Sequence, residues 1–161
     1  MRSLRIFILG PFKSFDNSKD DLVRLTKLRD CLRSRYDAFL SFDKETVGKT
    51  DLKKLSTRER TLKLARFADL NLFVFPKTGI RDGVASELTE ILTRFRSIRW
   101  KHVVLLDSGL KPSEILDKSK GGIFSIGPIK IIEYENDNEL IDVAEQVAYS
   151  YSQARLSGTK P

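Results

Sequence analysis

Five short apolar runs alternate with amphipathic stretches, and this alternation constrains the fold more than any other feature of the chain. Each run has the length and apolar character of a buried strand; the runs are 4–9, 38–42, 70–75, 102–106 and 129–134. The stretches between and after them place apolar residues at helical spacing; they cover about 20–32, 51–67, 84–98 and 138–156. Strands that are apolar on both sides and separated by helices are typical of a parallel sheet covered on both faces.

The alternation predicts an α/β fold. At 161 residues the chain is long enough for one domain and too short for two ordinary ones. We expect a single flavodoxin- or Rossmann-like doubly wound domain over 1–156, with a frayed tail at 157–161. Right-handed crossovers favour a five-stranded parallel sheet of order 2-1-3-4-5. A short helix opened by Pro112 and a loop or minor strand at 123–126 are expected beside the main elements.

Two loops that are distant in sequence should meet over one crevice. The strand order places a switch point between the first and third strands, and ligands bind at the carboxyl edge of such sheets. The expected cleft residues lie after the first strand, after the third strand and in the helix that follows; they are Gly10, Pro11, Phe12, Gly79, Arg81, Asp82, Gly83, Ser86 and Glu87. Glu87 has two interpretations: it faces a ligand in the cleft, or it complements the helix dipole as acidic residues in first turns often do.

The charge balance favours anionic partners in general. There are 29 Lys and Arg against 22 Asp and Glu, which gives a net charge of +7. Nucleotides, nucleic acids and acidic proteins all satisfy that preference. The basic residues are scattered among apolar residues at helical spacing, however, so they are typical of the solvated faces of amphipathic helices. Net charge is therefore the one feature that supports nucleic-acid binding.

Several classes of protein and site are disfavoured by composition. No apolar run approaches the roughly 18–20 residues that a membrane-spanning helix needs. A single cysteine, Cys31, cannot form an internal disulfide, and we expect a cytoplasmic protein. With Cys31 and one histidine, His102, the usual ligand set for zinc is missing. We expect no metal and no cofactor.

Three segments together resemble the nucleoside 2-deoxyribosyltransferase superfamily, which includes the deoxynucleoside monophosphate N-glycosidases. They are Ile8-Leu9-Gly10-Pro11-Phe12 after the first strand, Glu59-Arg60-Thr61-Leu62 followed by Ala68-Asp69, and Gly83-Val84-Ala85-Ser86-Glu87-Leu88. The resemblance covers roughly the first 95 residues in order and spacing.

The resemblance implies a chemical role for Glu87. The corresponding glutamate of the family attacks the anomeric carbon of a nucleoside and expels the base, and water or a second base then resolves the glycosyl-enzyme ester. A carboxylate suits this reaction because its transition state is oxocarbenium-like. Asp82 would assist as the second catalytic residue, and the other cleft residues would bind substrate. The family also implies a homodimer, paired through the 51–67 helix.

The chain departs from the family at three positions. Thr61 stands where the family has an aspartate after Glu-Arg, Arg81 where it has Asp or Ser, and Thr89 where it has glycine. Two functions stay open: an N-glycosidase or deoxyribosyltransferase acting on a nucleoside or nucleotide, and a non-catalytic nucleotide-binding or interaction module on the same fold.

Overall fold

The computed structural model describes residues 3–11, 19–44, 51–78, 82–110 and 129–161. Within these residues five strands form one all-parallel sheet in the order β2-β1-β3-β4-β5. The strands are β1 (Arg5–Leu9), β2 (Asp37–Phe39), β3 (Leu70–Phe75), β4 (His102–Asp107) and β5 (Lys130–Tyr134). The predicted α/β doubly wound fold and its strand order are confirmed.

Helices cover both faces of the sheet. They are α1 (Asp20–Arg33), α2 (Thr57–Phe67), α3 (Asp82–Arg94) and α4 (Asp137–Leu156), and short 3₁₀ segments occupy Asp51–Lys54 and Arg96–Lys101. In β1 successive side chains point to opposite faces. Ile6 and Ile8 join a core cluster with α1 and α4, whereas Phe7 and Leu9 join a second cluster with α2 and α3. The sheet is therefore buried on both sides.

The middle of the sheet is the best protected part of the described chain. All six residues of β3 are buried, because β1 and β4 flank it and helices cover both faces. The edge strand β2 has three residues and an exposed first position, Asp37. Among the described helices, none is long and apolar enough to cross a membrane.

Two predicted boundaries were wrong for reasons of hydrogen bonding. The second strand ends at Phe39 and not at Phe42, because the Leu40 amide donates to the buried Asp43 carboxylate at 2.8 Å, which turns the chain. The helix expected over 51–67 is divided into the 3₁₀ segment and α2, because Ser56 caps a new helix.

The other differences are smaller. The third helix begins at Asp82 and ends at Arg94 instead of covering 84–98, and a 3₁₀ segment with a non-helical Ile98 (φ −114°) follows. The helix expected at Pro112 and the loop or minor strand expected at 123–126 lie outside the described residues. The tail at 157–161 is exposed.

Candidate functional site

A cavity of about 370 Å³ lies where β1 and β2 end. Its described walls come from the end of β1, from α1, from the segment after β2, from α2 and from α3; they are Phe7, Ile8, Leu9, Gly10, Leu22, Leu25, Leu40, Ser41, Phe42, Thr57, Arg60, Thr61 and Glu87. A largely apolar cavity of this size with a few polar groups is typical of small-molecule sites. The position agrees with the rule that ligands bind at the carboxyl edge of open parallel sheets.

Glu87 is the carboxylate among the described walls of the cavity. It is half-buried in the second turn of α3. Burial raises its pKa from 4.5 to about 6, and repulsion by Glu90 adds to the effect. Glu90 is not among the described cavity walls, and it pairs with Arg58 and Arg94. Glu87 is therefore mostly ionised at pH 7 but takes up a proton in mild acid.

Arg60 supplies a positive charge to the same cavity. Its Nε atom is buried and has no hydrogen-bond partner among the described residues. Arg60 and Glu87 form no ion pair, although both are described and both line the cavity. The cavity thus presents a carboxylate and a guanidinium that do not neutralise each other by direct contact.

The start of α2 fixes which of its residues face the cavity. Ser56 accepts a hydrogen bond from the Glu59 amide at 3.2 Å, and the Glu59 carboxylate accepts one from the Ser56 amide at 2.9 Å. This capping box begins the helix at Thr57. Thr57, Arg60 and Thr61 then lie on one face, because residues three and four apart share a side of a helix. Glu59 is exposed and lies outside the cavity walls, since its carboxylate caps the helix.

A buried ion-pair cluster holds the wall that follows β2. The carboxylate of Asp43, which is 5% exposed, pairs with Arg29 and with Arg33, both from α1. The same carboxylate accepts the Leu40 amide. The segment that contributes Leu40, Ser41 and Phe42 to the cavity is therefore tied to α1.

Gly10 follows β1 directly and packs against Leu25 of α1 at the cavity. A Cβ atom at this position would be 2.7 Å from Cδ2 of Leu25, a distance that real Cβ atoms do not show. Leu25 is almost fully buried and lines the same cavity. The glycine therefore permits the packing of α1 that shapes this wall.

Comparison with known proteins places the chain in a family. The model of a family described as a domain of unknown function, DUF7509, matches residues 9–158. The chain belongs to the DUF7509 family. A search of curated proteins gives no match. A solved structure of a conserved protein from Enterococcus faecalis V583 is similar, with 15% sequence identity over 90% of this chain and 99% of that chain and a TM-score of 0.48.

The DUF7509 match contains most of the cavity. It begins at Leu9, the last residue of β1, and therefore includes every described wall residue except Phe7 and Ile8. Among the described residues of this DUF7509 domain, no group of three His, Cys, Asp or Glu side chains is placed to hold a metal ion.

The predicted cleft residues of the DUF7509 domain fall into three groups. Gly10 and Glu87 lie in one cavity, and Pro11 is buried next to Gly10. Gly83 and Ser86 are exposed and are not among the described walls; no atom lies within 4 Å of a Cβ built on Gly83. Phe12, Gly79, Arg81 and the side chain of Asp82 lie outside the described residues, although the Asp82 backbone begins α3.

The cavity of the DUF7509 domain extends towards β2, which sequence reasoning did not anticipate. Its described walls include Ser41 and Phe42 after β2, and Thr57 and Arg60 at the start of α2. The first two are the last residues of the predicted strand 38–42, at the carboxyl end where a cleft residue is expected. The pattern Ser56-x-x-Glu59 marks the beginning of α2 and hence the second two.

Proposed function

We propose that this domain binds a nucleoside or nucleotide in the cavity and cleaves its N-glycosidic bond, as an N-glycosidase or a 2-deoxyribosyltransferase. The observation that carries the proposal is the setting of Glu87, a half-buried carboxylate in a largely apolar cavity with a pKa of about 6. A carboxylate with a perturbed pKa in a cleft is a candidate for catalysis.

Glu87 would act as the nucleophile. One of its oxygens bonds to the anomeric carbon while the carbon–nitrogen bond breaks, and the electron pair leaves with the base. The negative charge stabilises the oxocarbenium-like transition state before the new bond is complete. Water then hydrolyses the ester and restores the carboxylate, or a second base accepts the sugar. Asp82, at the start of α3, would assist, either by orienting the sugar or by helping a proton from solvent reach the leaving base.

The remaining walls suit the two halves of such a ligand. The ring of Phe42 is 40% exposed and lies in the cavity wall, where a base can stack against it. Hydroxyl groups of Ser41 and Thr57 lie in the same walls and can bond to a sugar. These groups support a ligand with one flat apolar part and one polar part.

A non-catalytic nucleotide-binding module is the second candidate. Thr61 is 4% exposed and lines the cavity at the position where the resembling family carries an aspartate. A hydroxyl group cannot replace a carboxylate as an acid or charged base. Among the described walls, Glu87 is also without a second carboxylate. These two observations favour binding without turnover.

Base release separates the two candidates. We would incubate the protein with nucleosides, deoxynucleotides and NAD and measure free base by chromatography. Glu87→Gln should abolish release and retain binding, because the amide keeps the shape of the side chain and lacks its charge. Glu133→Gln is the matched control, since Glu133 is exposed on β5 at the other edge of the sheet. Release by Glu87→Gln at the parent rate would contradict the nucleophile, and binding without release by the parent protein would favour the second candidate.

A further inference from the structure

Arg60 lacks a carboxylate partner among the described residues, whereas several other described arginines have one. Arg5, Arg24, Arg29 and Arg58 each form an ion pair with a described carboxylate. Arg60 forms none with a described residue, and its Nε atom is buried without a described hydrogen-bond acceptor. A guanidinium that is partly removed from water costs free energy unless an acceptor replaces the water.

The acceptor for Arg60 is best supplied from the cavity. Arg60 lines it together with Thr57 and Thr61, which lie on the same face of α2 and carry hydroxyl donors. Glu87 also lines the cavity but does not pair with Arg60. This part of the wall therefore presents a guanidinium and two hydroxyl-bearing residues on one helix face, which is chemistry that can bind a phosphate.

The charges also give the ligand a direction. Glu87 is mostly ionised at pH 7, so it repels an anionic group and favours a carbon that develops positive charge. Arg60 attracts the anionic group. A ligand with a phosphate at one end and an N-glycosidic carbon further along satisfies both side chains in one orientation. The net charge of +7 favours the approach of such an anion.

We propose that Arg60 binds the phosphate of the ligand and that the domain selects nucleoside monophosphates over nucleosides. This inference rests on the proposed function, because it assumes that the cavity holds a nucleoside-type ligand with its anomeric carbon at Glu87.

Calorimetric titration tests the inference without turnover. In the Glu87→Gln background we would measure the Kd of a 2′-deoxynucleoside 5′-monophosphate, of the matched 2′-deoxynucleoside and of inorganic phosphate. The monophosphate should bind at least about tenfold more tightly than the nucleoside. Arg60→Gln should bring the two Kd values close together, and Arg60→Lys should restore part of the difference because it keeps the charge but not the planar fork.

Arg66→Gln is the matched control. Arg66 lies on α2, is exposed, and is not a described wall residue, so the variant removes the same charge from the same helix and should keep the preference for monophosphate. Circular dichroism reports whether each variant is folded. If Arg60→Gln does not fold, Arg60→Lys and the ratio of Kd values in the Glu87→Gln protein carry the test.

Three results would overturn the inference: equal Kd values for nucleoside and monophosphate, a preference that Arg60→Gln leaves intact, or no binding of either ligand. Base release is measured separately. Release from nucleosides and monophosphates alike, with no dependence on Arg60, would keep the proposed function and remove this inference. A phosphate preference that depends on Arg60, without any base release, would keep the binding site and remove the N-glycosidase.

Discussion

Asn71 and His102 are register partners on the neighbouring strands β3 and β4, and they contact each other in the core. Nδ2 of Asn71 lies 3.1 Å from Nδ1 of His102, and both residues are buried. The same Nδ2 donates to the carbonyl of Ala65 at 3.0 Å. Because an amide nitrogen only donates, Nδ1 accepts and the neutral ring carries its proton on Nε2. Nε2 has no partner among the described residues.

The first prediction is a loss of stability in acid through His102. Burial, with a further effect of the Lys101 charge, lowers its pKa from 6.5 to about 4. Between these two pH values the unfolded chain therefore binds more protons than the folded chain. The contribution of His102 to the free energy of unfolding is complete above pH 6.5, and about 3 kcal/mol of it is lost as pH falls towards 4.

Urea denaturation as a function of pH measures the contribution of His102. His102→Phe should lie within about 1 kcal/mol of the parent at pH 7.5 and should show a shallower loss below pH 6.5. His102 is the one histidine in the sequence, so no other histidine obscures the result. An unchanged acid slope in the variant would contradict the assignment.

The second prediction is that Glu87→Gln stabilises the fold at neutral pH. Because the pKa of Glu87 is raised in the folded protein, ionisation of this side chain opposes folding. The contribution of Glu87 to the free energy of unfolding therefore falls as pH rises from 4.5 through about 6. The amide of the variant does not ionise. We therefore expect its free energy of unfolding to exceed that of the parent by about 1–2 kcal/mol at pH 7.5 and to equal it at pH 4. Denaturant unfolding at the two pH values measures it. Glu133→Gln, at an exposed site, should change stability by less than about 0.5 kcal/mol.

The third prediction concerns the pH dependence of base release. The nucleophile must be ionised, so the rate should rise with pH and level off above the pKa of Glu87, about 6. Repulsion by Glu90 contributes to that pKa, and Glu90→Gln should therefore move the acid limb to lower pH. Initial rates from pH 4.5 to 8.5 give the profile. A rate that is flat across pH 6, or an acid limb that Glu90→Gln does not move, would contradict the role given to Glu87.

The fourth prediction compares two glycines. Gly10→Ala forces the buried Leu25 side chain, which lines the cavity, to shift; the variant should cost about 1–2 kcal/mol and weaken ligand binding. Gly83→Ala is the control, because nothing lies within 4 Å of its new Cβ and the residue is in a helix. It should stabilise the protein by about 0.4–1 kcal/mol. Thermal unfolding and calorimetry measure both effects, and equal behaviour of the two variants would contradict the packing role of Gly10.

The fifth prediction concerns the wall held by Asp43. Asp43→Asn leaves Arg29 and Arg33 without their shared charge and should cost about 2 kcal/mol, together with weaker binding in the cavity. Asp30→Asn is the control, since Asp30 is exposed and pairs with Arg29 at the surface. It should change stability by less than about 0.5 kcal/mol. Chemical denaturation and ligand titration give the two values, and a neutral Asp43→Asn would contradict the role of the cluster.

The sequence predicted the sheet well because its strands are set by local composition. The run from Leu70 to Phe75 is apolar throughout, and the structure buries all of it at the middle of the sheet. Boundaries were less predictable where a side chain decides them. Asp43 ends β2 early by accepting the Leu40 amide, and Ser56 begins α2. Neither hydrogen bond follows from hydrophobic periodicity.

The sequence predicted the part of the candidate site that depends on strand order, but not the part that depends on side-chain orientation. Topology was sufficient to bring Gly10 and Glu87 together, since both follow neighbouring parallel strands. It was not sufficient to identify Arg60, which lies in a helix rich in basic residues and differs from them only through its orientation. That orientation depends on the helix phase, which composition does not determine. Gly83 and Ser86 are close to Glu87 in sequence, but they are exposed and are not among the described walls.

The capping box of α2 determines which arginine of that helix lines the cavity. Glu59 and Arg60 are adjacent in sequence and carry opposite charges. The Glu59 carboxylate, however, accepts hydrogen bonds from Ser56 and lies outside the cavity walls. Glu59 therefore acts through the start of the helix: it helps to fix where α2 begins, and that start turns Arg60 towards the cavity.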